Sequence, residues 1–265
     1  MFEPFRAIVF DLDGTIVDTA PDLHDQLRIT LADFDRPCPP LAEVRAMVGD
    51  GARALIERGF AATGGWPESA DPDRLYGSFL ARYTADPLRL SRPFEGLEAL
   101  LDELCAAGLR LAICTNKPQA PTRGILDGLG LARHFEVVVG GDVLPIRKPD
   151  PGHLAAVLDG LGVTAAESIM VGDSANDVLA ARGVGLPSVV VSFGYTRVPA
   201  AELGADLLID RLDQLPGALR RLARTMPSGP AQARTGDPRR TAGPDDRPEP
   251  RVGSLKRTRH GRSSS

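Results

Sequence analysis

Cysteine is scarce, and what there is has no pattern. The chain carries three, Cys38, Cys105 and Cys114. An odd number with no CxxC pair indicates neither a disulfide framework nor a zinc site, and reduced thiols are expected. Long apolar runs are also lacking: no uninterrupted segment approaches the roughly 20 residues that a membrane-spanning helix needs. The first residues do not run from a basic stretch through an apolar one to a cleavage site. Nor is there a strong charge of one sign. A formal net charge of −4 over 265 residues gives no general signal for nucleic acid or a membrane surface. These absences leave a soluble, cytoplasmic protein with no membrane or nucleic-acid partner as the expectation, and they say nothing of oligomeric state.

The residues that are present suit one medium domain, or one domain with a smaller insertion. The shares of hydrophobic (43%) and charged (25%) residues are those of an ordinary globular chain. Short apolar runs rich in Val and Ile, without alternation, recur at 7–10, 109–114, 135–139, 168–171, 188–191 and 207–209. Such runs read as strands buried on both faces, the habit of parallel sheets. Helical patterns at 96–107, 121–129, 151–161 and 175–182 lie between them, so the expected fold class is α/β, a doubly wound, mostly parallel sheet. From 19 to 92 the alternation stops. Helical patterns at 22–34, 41–47, 53–62 and 73–84, separated by turn clusters, predict a small helical cap domain inserted into a core of 1–18 and 93–226. The last segment, 227–265, is rich in Pro, Gly, Ser and Arg and has almost no large apolar side chains, so it is expected to be disordered. It holds nine Arg and Lys against four Asp and Glu, a net of +5, which leaves −9 on the residues before it.

Chemistry-bearing residues gather at the ends of the expected strands. Asp11 and Asp13 follow the first one. In extended backbone, residues two apart point to one side and sit roughly 6–7 Å from each other. Two carboxylates would then face one small space beyond a strand's C-terminal end, where α/β sheets bind ligands, and Gly14 lets the chain turn there. Thr115-Asn116-Lys117 follows the second strand of the core, with a hydroxyl, an amide and backbone N–H groups suited to phosphate oxygens. Lys148 sits just before a helix start. Asp173 closes another strand, and Asp177 lies a turn into the next helix. Singly, each group also suits a capped turn or a solvated surface; four coincidences at successive strand ends suit a site far better.

Together, Asp11-Leu12-Asp13-Gly14-Thr15, Thr115, Lys148 and the Gly172-Asp173 to Asp177 segment resemble the four motifs of the haloacid dehalogenase superfamily, in order and spacing, from Phe5 to about Leu222. The resemblance implies that Asp11 is a nucleophile forming an aspartyl-phosphate, and that Asp13 donates and then accepts a proton. It also implies Mg²⁺ held by the Asp11 carboxylate, the Asp13 carbonyl and the Asp173 carboxylate, with Asp177 behind them. Thr115, the Asn116 backbone and Lys148 would then hold the phosphate oxygens. Within the superfamily the text is most similar to the phosphoglycolate phosphatases, through Thr115-Asn116-Lys117-Pro118, Val139-Gly140-Gly141-Asp142 and Lys148-Pro149-Asp150-Pro151 among other stretches. That similarity implies a small phosphate monoester as substrate, 2-phosphoglycolate, selected with the help of Gly49, Asp50 and Gly51 in a turn of the cap. A sugar phosphate, a phosphomutase reaction, or a catalytically silent relative kept for binding are the competing readings. Thr15 and the intact motifs speak for a phosphatase.

Overall fold

The computed structural model describes residues 2–225; the segment 227–265, expected to be disordered, lies outside the described residues. Its centre is a six-stranded sheet built from β1 (Ala7–Phe10), β4 (Arg110–Cys114), β5 (Phe135–Val139), β6 (Ser168–Gly172), β7 (Ser188–Val191) and β8 (Leu207–Ile209). Every pairing is parallel, and the order across the sheet is β5-β4-β1-β6-β7-β8. The chain starts in the middle and winds outward in both directions, so the order reverses beside β1. That reversal opens a crevice at the C-terminal strand ends.

Each strand's side chains alternate between two apolar layers. Ala7, Val9, Ala112, Cys114 and Met170 face one layer, shared with α7 (Pro151–Leu161) and α8 (Ala175–Val184) through Leu154, Val157 and Ala181. Ile8, Phe10, Leu111, Ile113, Ile169 and Val171 face the other. That side is covered by α5 (Leu97–Ala106), α6 (Gln119–Gly128) and α9 (Leu215–Thr225) through Leu101, Ile125 and Leu219. Both faces of the four inner strands are buried, which is why they read as unbroken apolar runs, while Glu136 on β5 and Leu208 on β8 are exposed at the sheet's edges.

Between β2 (Val17–Asp18) and β3 (Arg92–Pro93) the chain makes α1 (Ala20–Ala32), α2 (Leu41–Arg45), α3 (Ala52–Ala62) and α4 (Pro72–Ala85). Apolar side chains at helical spacing, Leu23, Leu27 and Leu31 on α1, Leu55, Ile56 and Phe60 on α3, and Phe79 and Tyr83 on α4, bury one face of each helix. No strand was expected before 109 except the first. β2 and β3 are two residues each and pair antiparallel, Val17 with Pro93 and Asp18 with Arg92. They tie together the two points where the helical segment leaves and rejoins the sheet. The Asp22 carboxylate reinforces that closure by accepting hydrogen bonds from Leu90 N (3.0 Å), Ser91 N (2.7 Å) and Ser91 Oγ (2.6 Å).

Candidate active site

The three central strands end side by side. Phe10 stands level with Ile113 and Val171, so the residues that follow, Asp11, Thr115 and Asp173, emerge at one edge of the sheet. The turn after Asp11 is closed by N–H groups of Thr15, Ile16 and Val17 converging on the Leu12 carbonyl. Gly14 has φ +77°, and a Cβ there would stand 2.4 Å from Asp173 Oδ2; only glycine lets the two strand ends approach this closely.

Asp11, Asp173 and Asp177 are all buried, and each offers a carboxylate oxygen within 4.8 Å of the others. Asp177 is placed by a capping box at the start of α8: its Oδ2 accepts from Ser174 N (3.0 Å) and Ser174 Oγ (2.8 Å). Its other oxygen meets Lys148 Nζ at 2.6 Å, and the same ammonium stands 3.1 Å from Asp11 Oδ1. That second contact is an ion pair without hydrogen-bond geometry, since Asp11 Oδ1 is a buried oxygen lacking a hydrogen-bond donor. Burial works against the charge of Lys148, yet Asp11 and Asp177 outweigh it and keep the ammonium protonated. Burial pushes the Asp11 carboxyl up to about 6, with Lys148 opposing the rise and Asp177 and Asp13 adding to it. Burial, then Asp177 and Asp11, raises Asp173 well above the usual carboxylate range, although Tyr195 N donates to it at 2.5 Å. Three buried carboxylates thus share one ammonium, and an unbonded oxygen points among them. That excess of negative charge and hard oxygen donors is what a divalent cation requires, so the residues fit a metal.

Asp13 does not join this group. Its carboxylate turns the other way, accepting from Thr19 Oγ1 (2.6 Å) and from Lys117 Nζ (2.9 Å). Thr115 borders the cavity beside Asp11, and its hydroxyl favours the ionised form of that carboxylate. Asn116 spends its side-chain amide elsewhere: Nδ2 donates to Lys148 O (2.8 Å) and to Gly49 O (3.0 Å). Lys148 N in turn donates to His153 Nδ1 (3.2 Å). Burial first, and then the Lys148 charge, lowers His153 to about 4, so this imidazole is a neutral strut beneath the lysine. Cys114, under Asp11, is pushed up to about 12 by burial and stays a thiol.

The turn before α3 roofs the cavity. Gly49 and Gly51 line it together with Val48, Ala52 and Leu55. Gly51 has φ +86°, and a Cβ would lie 3.1 Å from Asn116 O, so the turn rests directly on the β4 end. The Asp50 carboxylate is not in the cavity wall. It points outward, accepting from Asn176 Nδ2 (2.6 Å) and Arg197 (2.8 Å) and pairing with Arg58. Burial opposes its charge, but these three partners prevail and hold it below the usual range. Asn176 also donates to Gly49 O (3.2 Å), and Arg197 Nε to Ala46 O (2.7 Å).

Sequence reasoning therefore named the groups around Asp11 but missed several that shape the site. Lys117 lies within the Thr115-Asn116-Lys117 stretch, where its position alone assigns it no role. Asn176 and Arg197 pin the roof. Tyr83 lines the cavity from α4, where its spacing from Phe79 reads as plain core.

A doubly wound parallel sheet with this acidic cluster at its switch point defines a haloacid dehalogenase-like hydrolase. The model of that family matches residues 5–185, and the chain belongs to it. The phosphoglycolate phosphatase of Rhodospirillum rubrum is 49% identical over 209 residues, which are 77% of this chain and 87% of that protein. The phosphoglycolate phosphatase of Caulobacter vibrioides is 45% identical over 221 residues, 83% of this chain and 93% of that protein. Among solved structures, a predicted phosphoglycolate phosphatase from Haemophilus somnus superposes with a TM-score of 0.73 at 29% identity, covering 81% of this chain and 97% of that one.

Proposed function

We propose that the chain is a Mg²⁺-dependent phosphatase that hydrolyses 2-phosphoglycolate to glycolate and phosphate through an aspartyl-phosphate on Asp11. The observation that carries this reading is the buried group of Asp11, Asp173 and Asp177 around Lys148, with Asp13 two residues from the nucleophile. The names of the relatives supply the substrate.

Mg²⁺ would be held by the Asp11 carboxylate, the Asp13 carbonyl and the Asp173 carboxylate, and when bound it would neutralise charge on the phosphate oxygens. Asp11 attacks phosphorus, forming an acyl-phosphate bond as the ester P–O bond breaks, and Asp13 gives its proton to the departing alkoxide. Water then attacks the same phosphorus, Asp13 takes its proton, and phosphate leaves with the Asp11 carboxylate restored. Thr115, the Asn116 backbone and Lys148 hold the non-bridging oxygens, whose charge must be balanced throughout. Asp177 fixes Lys148 and stands behind the metal ligands.

Residues 19–92 act as a cap over a core made by 1–18 and 93–226. The paired β2 and β3 at its two crossings support that division, and Gly49 and Gly51 are its contribution to substrate selection. Asp50 contributes by holding the turn. Among the described residues no helix is long and apolar enough to cross a membrane; three unpaired thiols support a cytoplasmic location.

The test is phosphate release from a panel of small monoesters with Mg²⁺. The highest kcat/KM is expected on 2-phosphoglycolate. A sugar phosphate ranked above it would move the substrate, and interconversion of sugar phosphates without phosphate release would make the chain a mutase. Silence across the panel would leave a binding module.

A further inference from the structure

Two buried polar groups at the cavity take no part in the steps above. Lys117, whose side chain is 2% exposed, is the only cation among the described residues that line it. Its Nζ lies 2.9 and 3.3 Å from the two oxygens of Asp13 and 4.5 Å from the centre of the Tyr83 ring. An ammonium has three donors, and Asp13 does not exhaust them. Tyr83 is 1% exposed, borders the same cavity, and its hydroxyl has no hydrogen-bond partner. A buried hydroxyl left unpaired is costly unless something arrives to pair it. A third source of donors is the start of α3. Gly51 caps that helix without a side-chain hydrogen bond, so N–H groups of its first turn are free beside Ala52, which lines the cavity.

None of these donors is among the groups assigned to the phosphate, where Lys148 is already committed to Asp11 and Asp177. Elsewhere around the cavity Leu23, Val48, Leu55 and Pro118 present carbon. The free interior is small, about 20 Å³, the space of a water or two, so any ester must part the walls to enter and a short one parts them least. A short ester whose second end is anionic suits these donors best.

We propose that Lys117 Nζ, the Tyr83 hydroxyl and the first-turn amides of α3 bind the carboxylate of the substrate. Lys117 then serves two anions, orienting Asp13 with one face and receiving the carboxylate with another. Tyr83 supports it twice, with its ring beneath the ammonium and its hydroxyl toward the ligand. This assignment rests on the substrate proposed above.

The experiment compares 2-phosphoglycolate with ethyl phosphate, which has the same two carbons and no carboxylate. The quantity read is the ratio of their kcat/KM values, because any loss caused by disturbing Asp13 affects both esters and cancels. Lys117→Met should lower the ratio by about 30-fold and Tyr83→Phe by about fivefold, as expected for a charged and a neutral donor. Tyr83→Phe removes a group that bonds nothing in the fold, so it remains informative if Lys117→Met does not fold. In an Asp11→Asn background, calorimetric titration should show Lys117→Met weakening the binding of 2-phosphoglycolate but not of ethyl phosphate. A high wild-type ratio that neither variant lowers would overturn this assignment and leave the substrate intact. A wild-type ratio near one would overturn both.

Discussion

Asp11 is held where a carboxylate is least comfortable, buried among Asp173 and Asp177 with one ammonium to share. Replacing it with Asn keeps its volume and removes one negative charge from the cluster. Turnover by Asp11→Asn is expected to fall by roughly 10⁴-fold or more, while the melting temperature without metal stays level or rises. Appreciable residual phosphate release would end the nucleophile assignment. His153 gives a pH signature of its own. Unfolded, the imidazole takes a proton near 6.5; folded, only at about 4. Below 6.5 the unfolded chain therefore binds more protons, so the stability His153 contributes at neutral pH drains away as pH falls toward 4, by roughly 3 kcal/mol at most. Thermal melts from pH 7 to 4 should show a shallower decline for His153→Gln than for the wild type. Parallel curves would mean that the imidazole is not held neutral.

The roof turn is an element whose position depends on its pins. Asp50 makes a partly exposed ion pair with each of Arg58 and Arg197, and a hydrogen bond with Asn176. Such pairs contribute up to about 1 kcal/mol each. Asp50→Ala is thus expected to raise KM about three- to tenfold and to change kcat less, in steady-state assays on 2-phosphoglycolate. An unchanged KM would show that the turn keeps its place without them. The pins from Arg197 and Asn176 could not be read from the sequence, since they stand 147 and 126 positions from Asp50, and neither could the contact of Lys117 with Asp13 across 104. The strands were legible because burial on both faces leaves unbroken Val and Ile runs, and their ends carried the site. β2 and β3 were not, because two residues hold no period. α9 was missed for another reason: Pro216 and Gly217 stand at its start, where Pro is tolerated in a first turn but reads as a breaker.

At the scale of the whole chain, every assigned group and both apolar layers lie within the described residues. The segment 227–265 brings almost no large apolar side chain, so deleting it should leave kcat, KM and melting temperature nearly unchanged. A large drop in any of them would give the segment a structural or catalytic part. Metal should matter much more. The folded chain assembles Asp11, Asp173 and Asp177 within 4.8 Å of one another, whereas the unfolded chain separates them by up to 166 positions. A divalent cation held there binds the folded state alone and stabilises it by mass action, about 2.7 kcal/mol at a hundred times its Kd. For a domain of this size that is roughly 5–10 °C in melting temperature. Melts in EDTA and in saturating Mg²⁺ should differ by this amount, and activity should vanish in the first and return in the second. Asp173→Asn should shrink the shift by removing a charged ligand, and Asp50→Ala should leave it intact, because Asp50 is not among the clustered carboxylates. Equal melting in EDTA and Mg²⁺, together with full activity in chelated protein, would mean that the acidic cluster is stabilised by Lys148 alone and that no cation enters the reaction.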